Sequence, residues 1–384
     1  MRIAALFAGI GGLETGLHRA GHDTVVLAES WPLAAKVLAR RFPEVPNEGD
    51  VRELRSLPKI DLLTAGFPCQ DLSQAGKTAG IEGARSGLVG QIFRLLDRRL
   101  VPWVLLENVS FMLHLDGGRA MKQLVAAFEE RGYLWCYRVV NSLAFLPQRR
   151  ERVFFIASRV ADPADVLLVD EVEPSIPKTT LDSHAHGFYW TEGIRGLGWA
   201  PDAVPTIKNG SSVGIPAPPA VLMPSGEVVK PDIRDAERLQ GFEAGWTKPA
   251  EAIGRSSWRW SLVGNAVTVP VAHWVGARLA DAGQYDPSRD RELGNARNWP
   301  RAARFDGSKR YEVQIGSHPT WKTRKPLHRF LKYPADLLSS RATAGFLKRT
   351  EISSLRFVDG FRERVRRHLQ RMSHLDRALA VPAE

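Results

Sequence analysis

Over residues 1–160, short apolar runs alternate with amphipathic stretches of helical length. The runs at 3–7, 24–28, 61–65, 103–107, 137–141 and 153–157 read as buried strands. The stretches at 13–20, 32–41, 90–98 and 119–131 read as helices. This rhythm predicts a doubly wound α/β sheet, and ligands of such sheets bind at the carboxyl ends of the strands. The rhythm stops after Arg159. Residues 160–233 are rich in proline and glycine, punctuated by Pro201, Pro205, Pro216, Pro218, Pro219 and Pro224. They predict a smaller, loop-rich domain with short strands. Helical periodicity returns at 235–240, followed by a stretch with Trp246, Trp258 and Trp260, then an apolar helix over about 267–281. From 284 to 384 the pattern predicts a basic, mostly helical extension, strongest at 361–372.

A chain of 384 residues is long enough for two or three domains around a sizeable core. Hydrophobic residues at 44% and charged residues at 25% describe a globular protein. No apolar run approaches membrane-spanning length. The first residues carry no basic leader or cleavage site, so a cytoplasmic location with no membrane partner is expected. The two cysteines, Cys69 and Cys136, rule out a disulfide framework and a four-cysteine zinc site, and the ten histidines are scattered, so no metal is expected. The net charge of +11 changes the picture once it is placed. Residues 283–384 hold 22 Lys and Arg against 11 Asp and Glu, so the whole excess lies in the last quarter. Such a patch suits a polyanion. The competing reading is a solvated helical tail.

Four motifs carry chemistry. The first, Phe7-Ala8-Gly9-Ile10-Gly11-Gly12, follows the first strand and opens the first helix. Its glycines permit a tight turn and close approach of a ligand to helix amides. The acid that would hold a ribose is expected at the end of the next strand, where Glu29 stands. Asp50, in Gly49-Asp50-Val51, follows at a third loop, and together these describe an adenosine site. Asp50 also suits a simple capping role. The second motif, Gly66-Phe67-Pro68-Cys69-Gln70, puts a thiol on a polar loop at the same sheet edge. Buried filler is the common fate of a lone cysteine, yet a loop position makes Cys69 a candidate nucleophile. In the third, Glu107-Asn108-Val109, the carboxyl ends a very apolar strand and faces the same edge, as an acid or as a cap. The fourth, Gln148-Arg149-Arg150-Glu151-Arg152, places three arginines before another apolar strand, where a purely solvated face is hard to accommodate.

The order of these motifs resembles that of the cytosine-5 DNA methyltransferase family, of the bacterial restriction–modification type. Arg234-Asp-Ala-Glu-Arg-Leu-Gln-Gly-Phe242 and Gly264-Asn265-Ala266-Val267 complete the series, so the resemblance spans about residues 1–282. It implies a Rossmann-like methyltransferase sheet that binds S-adenosylmethionine and leaves S-adenosylhomocysteine. Phe7, Gly9, Ile10, Gly12, Glu29, Ser30, Asp50, Val51, Pro68 and Leu88 would line that site, completed by Asn265 and Val267. Ser30 departs from the family habit of an aromatic beside the ribose acid, and Trp31 stands one position later. Residues 1–159 would form the catalytic domain and 160–260 the target-recognition domain. Residues 261–283 would return to the first, making it discontinuous, and 284–384 lie outside the family core.

The resemblance also implies a mechanism. Cys69 would add to carbon 6 of cytosine, making carbon 5 nucleophilic enough to take a methyl group. Glu107 would hold or protonate ring nitrogen 3. Arg152 would bind the exocyclic oxygen, and Arg150 or Arg152 would favour the Cys69 thiolate, scarce at neutral pH in a free thiol of pKa about 8.5. Because this geometry does not fit inside a duplex, the base must flip out. Gln70, Ser73, Gln148, Arg149 and Arg234 are assigned to double-stranded DNA. A monomer is expected, with a cognate restriction endonuclease as possible partner. The arginines of 361–372 are expected to add phosphate contacts. Three other readings compete: an RNA cytosine-5 methyltransferase, a Rossmann oxidoreductase using NAD, and a catalytically dead DNA-binding member. The first lacks the Cys-Phe-Thr insert of the tRNA-methylating branch. The second leaves Pro68-Cys69-Gln70 and Asn265 unused, and intact Cys69 and Glu107 oppose the third.

Overall fold

Strand β1 (Arg2–Leu6) begins a sheet whose next elements alternate as the apolar pattern predicts: α1 (Gly12–Arg19), β2 (Asp23–Ala28), α2 (Pro32–Arg41), β3 (Leu62–Ala65), α3 (Leu88–Arg98), β4 (Trp103–Val109), α4 (Arg119–Glu129), β5 (Leu134–Asn141) and β6 (Glu151–Ser158). The computed structural model describes residues 1–67, 87–175, 178–210, 218–294 and 298–380. Two units emerge. Met1–Ala144, Glu151–Pro174 and Ala266–Trp321 make the first; Phe145–Arg150, Ser175–Asn265 and Lys322–Glu384 make the second.

In the first unit, β2, β1, β3 and β4 pair in parallel, and β6 then runs antiparallel between β4 and β5. Buried on both faces, these strands are near-continuous apolar runs rather than alternating ones, as Ile3–Leu6 shows. This is the Rossmann-like methyltransferase layout. Helix ends follow local chemistry: Pro32 opens α2. Gly9 and Gly11 take φ of 56° and 83° in the turn before α1, a conformation that suits glycine. Helix α5 (Val269–Ala280) packs along α1 through glycines. A methyl group on Gly12 would sit 2.6 Å from the Val267 carbonyl oxygen, so only glycine permits this approach. The sequence pattern placed this last helix correctly.

The expected basic, mostly helical extension of 284–384 is corrected, because the two units divide that segment between them. Strands β7 (Asp290–Glu292), β8 (Ala302–Phe305) and β9 (Arg310–Val313) extend the first unit's sheet beyond β5 to nine strands. Two of their arginines face local acids: Arg304 is buried and pairs with Asp290 and Asp162, and Arg310 pairs with Glu129. Phe305 stacks on Trp135.

In the second unit, strands Asp336–Leu337, Val228–Lys230, Ala220–Leu222, His186–Phe188 and Ala200–Pro201 form a small sheet in that order. The helices Ser340–Ile352 and Phe361–Ala380 cover it, with Phe346 stacked on Phe188 at 4.2 Å between centroids and Phe361 edge-on to the same ring. Backbone amides of Lys332 and Tyr333 donate to buried Asp235, which ties the late segment to helix Ile233–Leu239. Glu237 of that helix is fully buried. It accepts from the amides of Gly245 and Thr247 and pairs with Arg259 at 2.9 Å, so this acid shapes the following loop.

Candidate active site

The carboxyl ends of β1 and β2 hold the first cluster. The Gly9 amide donates to Glu29 Oε2 at 2.8 Å and the Trp31 amide to Oε1 at 2.7 Å, fixing the acid beside the glycine turn. Burial pushes the Glu29 carboxyl up despite those amides. Phe7 takes φ of 53°, rare for a residue with a side chain. A side chain at Gly9 would meet nothing within 4 Å among the described residues, which leave space beside the turn. Ile10 and Val51 are buried, Leu88 is half-buried at the start of α3, and Ser30 is exposed. Asp50 is held by Arg52, whose backbone amide and guanidinium both donate to it, and this pairing keeps its carboxyl below the usual range.

The second cluster lies at the end of β4. Glu107 is 7% exposed, and its Oε1 stands 3.2 Å from Arg152 Nε. The β4–β6 register explains this pair: Val109 faces Arg152 and Glu107 faces Phe154, so Arg152 is the diagonal neighbour of Glu107 on one face. Asn108 Nδ2 donates to the Phe67 carbonyl at 2.9 Å, tying β4 to the loop that follows β3. A side chain at Gly66 would lie 3.7 Å from Glu107 Oε2 and 4.0 Å from both the Phe7 carbonyl and Val267. The glycine turn, the carboxylate and the returning chain therefore converge at Gly66. Pro68, Cys69, Gln70 and Ser73 lie outside the described residues. The other cysteine, Cys136, is fully buried in β5, and burial pushes its thiol well up, which makes it an inert filler.

In the second unit, sequence reasoning assigned Gln148 to DNA, and the structure corrects that. Gln148 is 0% exposed; its amide nitrogen Nε2 donates to the Leu239 carbonyl and to Gln240 Oε1, and its Oε1 accepts from the Ile207 amide. Arg150, also buried, donates to the carbonyls of Ile207 and Gly264. Gly264 has no alternative, because a methyl group there would overlap the backbone of Lys208 and Asn209. Arg149 and Asn265 are exposed, while Arg234 pairs with Asp232 at 2.8 Å and lies over the Tyr333 ring. Sequence reasoning missed Glu14, buried in the first turn of α1, and the Glu237–Arg259 pair. The arginines expected to meet phosphate have local partners too. Arg362 donates to the Thr350 carbonyl, and Arg364 to the Leu181 and Pro224 carbonyls and to Asp182. Arg366 and Arg367 pair with Glu363.

A mixed sheet with a parallel half that bears a glycine turn, an acid at the next strand end and a carboxylate–arginine pair is the layout of a Rossmann-like methyltransferase. Comparison with known proteins narrows the class. The model of C-5 cytosine-specific DNA methylases matches residues 1–186. Type II methyltransferase M2.BsuMI of Bacillus subtilis (strain 168) is 45% identical over 375 residues, 94% of this chain and 96% of that one. Type II methyltransferase M.BanI of Aneurinibacillus aneurinilyticus is 37% identical over 163 residues, 41% of this chain and 38% of that one. The crystal structure of S. pombe Dnmt2 methyltransferase shares the fold, with a TM-score of 0.54 at 17% identity over 73% of this chain and 98% of that one. The chain belongs to the C-5 cytosine-specific DNA methylase family. It is a DNA (cytosine-5-)-methyltransferase.

Proposed function

We propose that this enzyme methylates carbon 5 of a flipped-out cytosine in a specific double-stranded DNA sequence, through a covalent Cys69 adduct at carbon 6. The observation that carries the reading is the convergence at Gly66 of the glycine turn and the Glu107–Arg152 pair. The space that the described residues leave beside Gly9 and the amide-bound Glu29 fit S-adenosylmethionine as the donor. That cofactor supplies an electrophilic methyl group. Phe7, Gly9, Ile10, Gly12, Glu29, Ser30, Val51, Leu88 and Val267 would hold it, with Pro68 and Asn265; Asp50, clamped by Arg52, would offer its remaining lone pairs.

Carbon 5 of cytosine is a weak nucleophile. Addition of the Cys69 thiolate to carbon 6 makes the ring an enamine, whose carbon 5 takes the methyl group as the methyl–sulfur bond breaks and S-adenosylhomocysteine leaves. Glu107 holds or protonates ring nitrogen 3, and the proton it gives neutralises the negative charge that develops in the ring. Arg152, oriented by Glu107, donates to the exocyclic oxygen. Loss of the carbon 5 proton and expulsion of the thiolate restore aromaticity. Arg150 fixes the backbone carbonyls of Ile207 and Gly264. The bacterial sources of its relatives support a cytoplasmic location. The Type II names of its relatives support a protective role beside a cognate endonuclease.

The test uses wild type and Cys69→Ser on DNA containing 5-fluorocytosine, with bisulfite sequencing of normal DNA alongside. Wild type should methylate one recurring sequence and form a covalent adduct on the fluorinated base; the serine variant should do neither while still binding the cofactor. Full methylation by the variant would refute Cys69.

A further inference from the structure

Glu14 is the one buried carboxyl at the site that the proposed chemistry leaves unused. It lies in the first turn of α1, two residues after Gly12, and is 1% exposed. Its Oε1 accepts from the Thr64 hydroxyl at 3.3 Å, whereas Oε2 has no hydrogen-bond partner among the described residues. Thr64 stands in β3 two residues before Gly66, and the neighbouring Glu29 repels Glu14 electrostatically. The acid is therefore enclosed by the elements proposed to hold the methyl donor. Buried polar atoms are normally satisfied, and an acid placed only to favour a helix N-terminus can do so from the surface. A partnerless oxygen in an apolar pocket instead costs stability.

Resting on the cofactor reading above, we propose that Glu14 is the counter-charge for the positively charged sulfur of the methyl donor, so that it favours the donor over the spent product. The donor's sulfonium is cationic, and the corresponding thioether of the product is neutral. The two ligands otherwise carry the same charged groups. Burial raises the Glu14 carboxyl to about 7, and a cation nearby would lower it again and favour the charged form. Glu14 touches no reacting atom in this scheme and acts through charge alone.

The test is calorimetric titration of the full-length protein, wild type and Glu14→Gln, with S-adenosylmethionine, S-adenosylhomocysteine and sinefungin, whose ammonium replaces the sulfonium. Charge pairing in a partly buried site should make the variant weaken both cationic ligands by about tenfold and the neutral product by less than about twofold. Retained product binding also reports an intact fold. Equal weakening of all three ligands would assign Glu14 to structure alone, and unchanged affinities would remove it from the site; either overturns the proposal. If Glu14→Gln does not fold, Glu14→Met fills the same pocket without charge and serves the same comparison. Failure of wild type to bind any of the three would instead overturn the cofactor reading itself.

Discussion

Glu107 has three defined surroundings: an apolar strand behind it, Arg152 beside it at 3.2 Å and Gly66 before it. Removing its charge while keeping its shape should therefore strike the chemical step. Glu107→Gln is expected to lower the single-turnover rate by roughly a hundred- to ten-thousand-fold with DNA affinity little changed. A rate within about threefold of wild type would deny the carboxyl its role. Residues of this kind were legible in the sequence because strand ends and glycine turns are local signals. Glu29 and Glu107 each end an apolar run, and each is found at a sheet edge. Gln148 and Arg150 were not legible in the same way. Their partners, Ile207, Leu239 and Gly264, lie dozens of residues away, and a polar side chain that bonds distant carbonyls reads in sequence like one that bonds a ligand. Glu14 was hidden for the converse reason: an acid in a first helical turn looks like an ordinary surface preference.

Among the elements, helix Phe361–Ala380 changed meaning most. Its arginines read as a phosphate-binding stripe, yet the structure gives Arg362 and Arg364 backbone carbonyls and Arg366 and Arg367 an acid. Arg364→Gln should leave the Leu181 and Pro224 carbonyls without a charged donor and cost about 1–3 kcal/mol, seen as a lower urea midpoint. The salt dependence of DNA binding should stay as it was. A flatter salt slope at unchanged stability would restore the phosphate-binding role. Strands β7, β8 and β9 escaped the sequence pattern because their residues do not alternate simply. Arg304 sits buried between Ala303 and Phe305, where only its pairing with Asp290 and Asp162 makes burial tolerable.

Across the whole molecule, burial has pushed four histidines down: His22, His318, His368 and, to about 4, His186. The unfolded chain takes up these protons near pH 6.5, and the folded one resists until lower pH. Above 6.5 the histidines contribute no pH dependence. Below it the unfolded state binds more protons, so stability falls as pH drops, and the His186 share of that loss levels off near 4. His186→Phe keeps the stacking on Trp199 without the titration. Its urea midpoint should fall less between pH 7 and 5 than that of wild type. An equal fall would place the acid sensitivity elsewhere.

The nine-stranded sheet has one more consequence. Every motif that marks this family ends before residue 283, so a gene cut there would still encode each recognisable catalytic signature. Its product would present β5 as an uncovered edge, with Trp135 stripped of Phe305 and a row of backbone groups left to seek another chain. Diagnostic motifs and a foldable polypeptide thus have different boundaries here, and a truncated copy in a genome would be recognised as a methylase without being able to work as one.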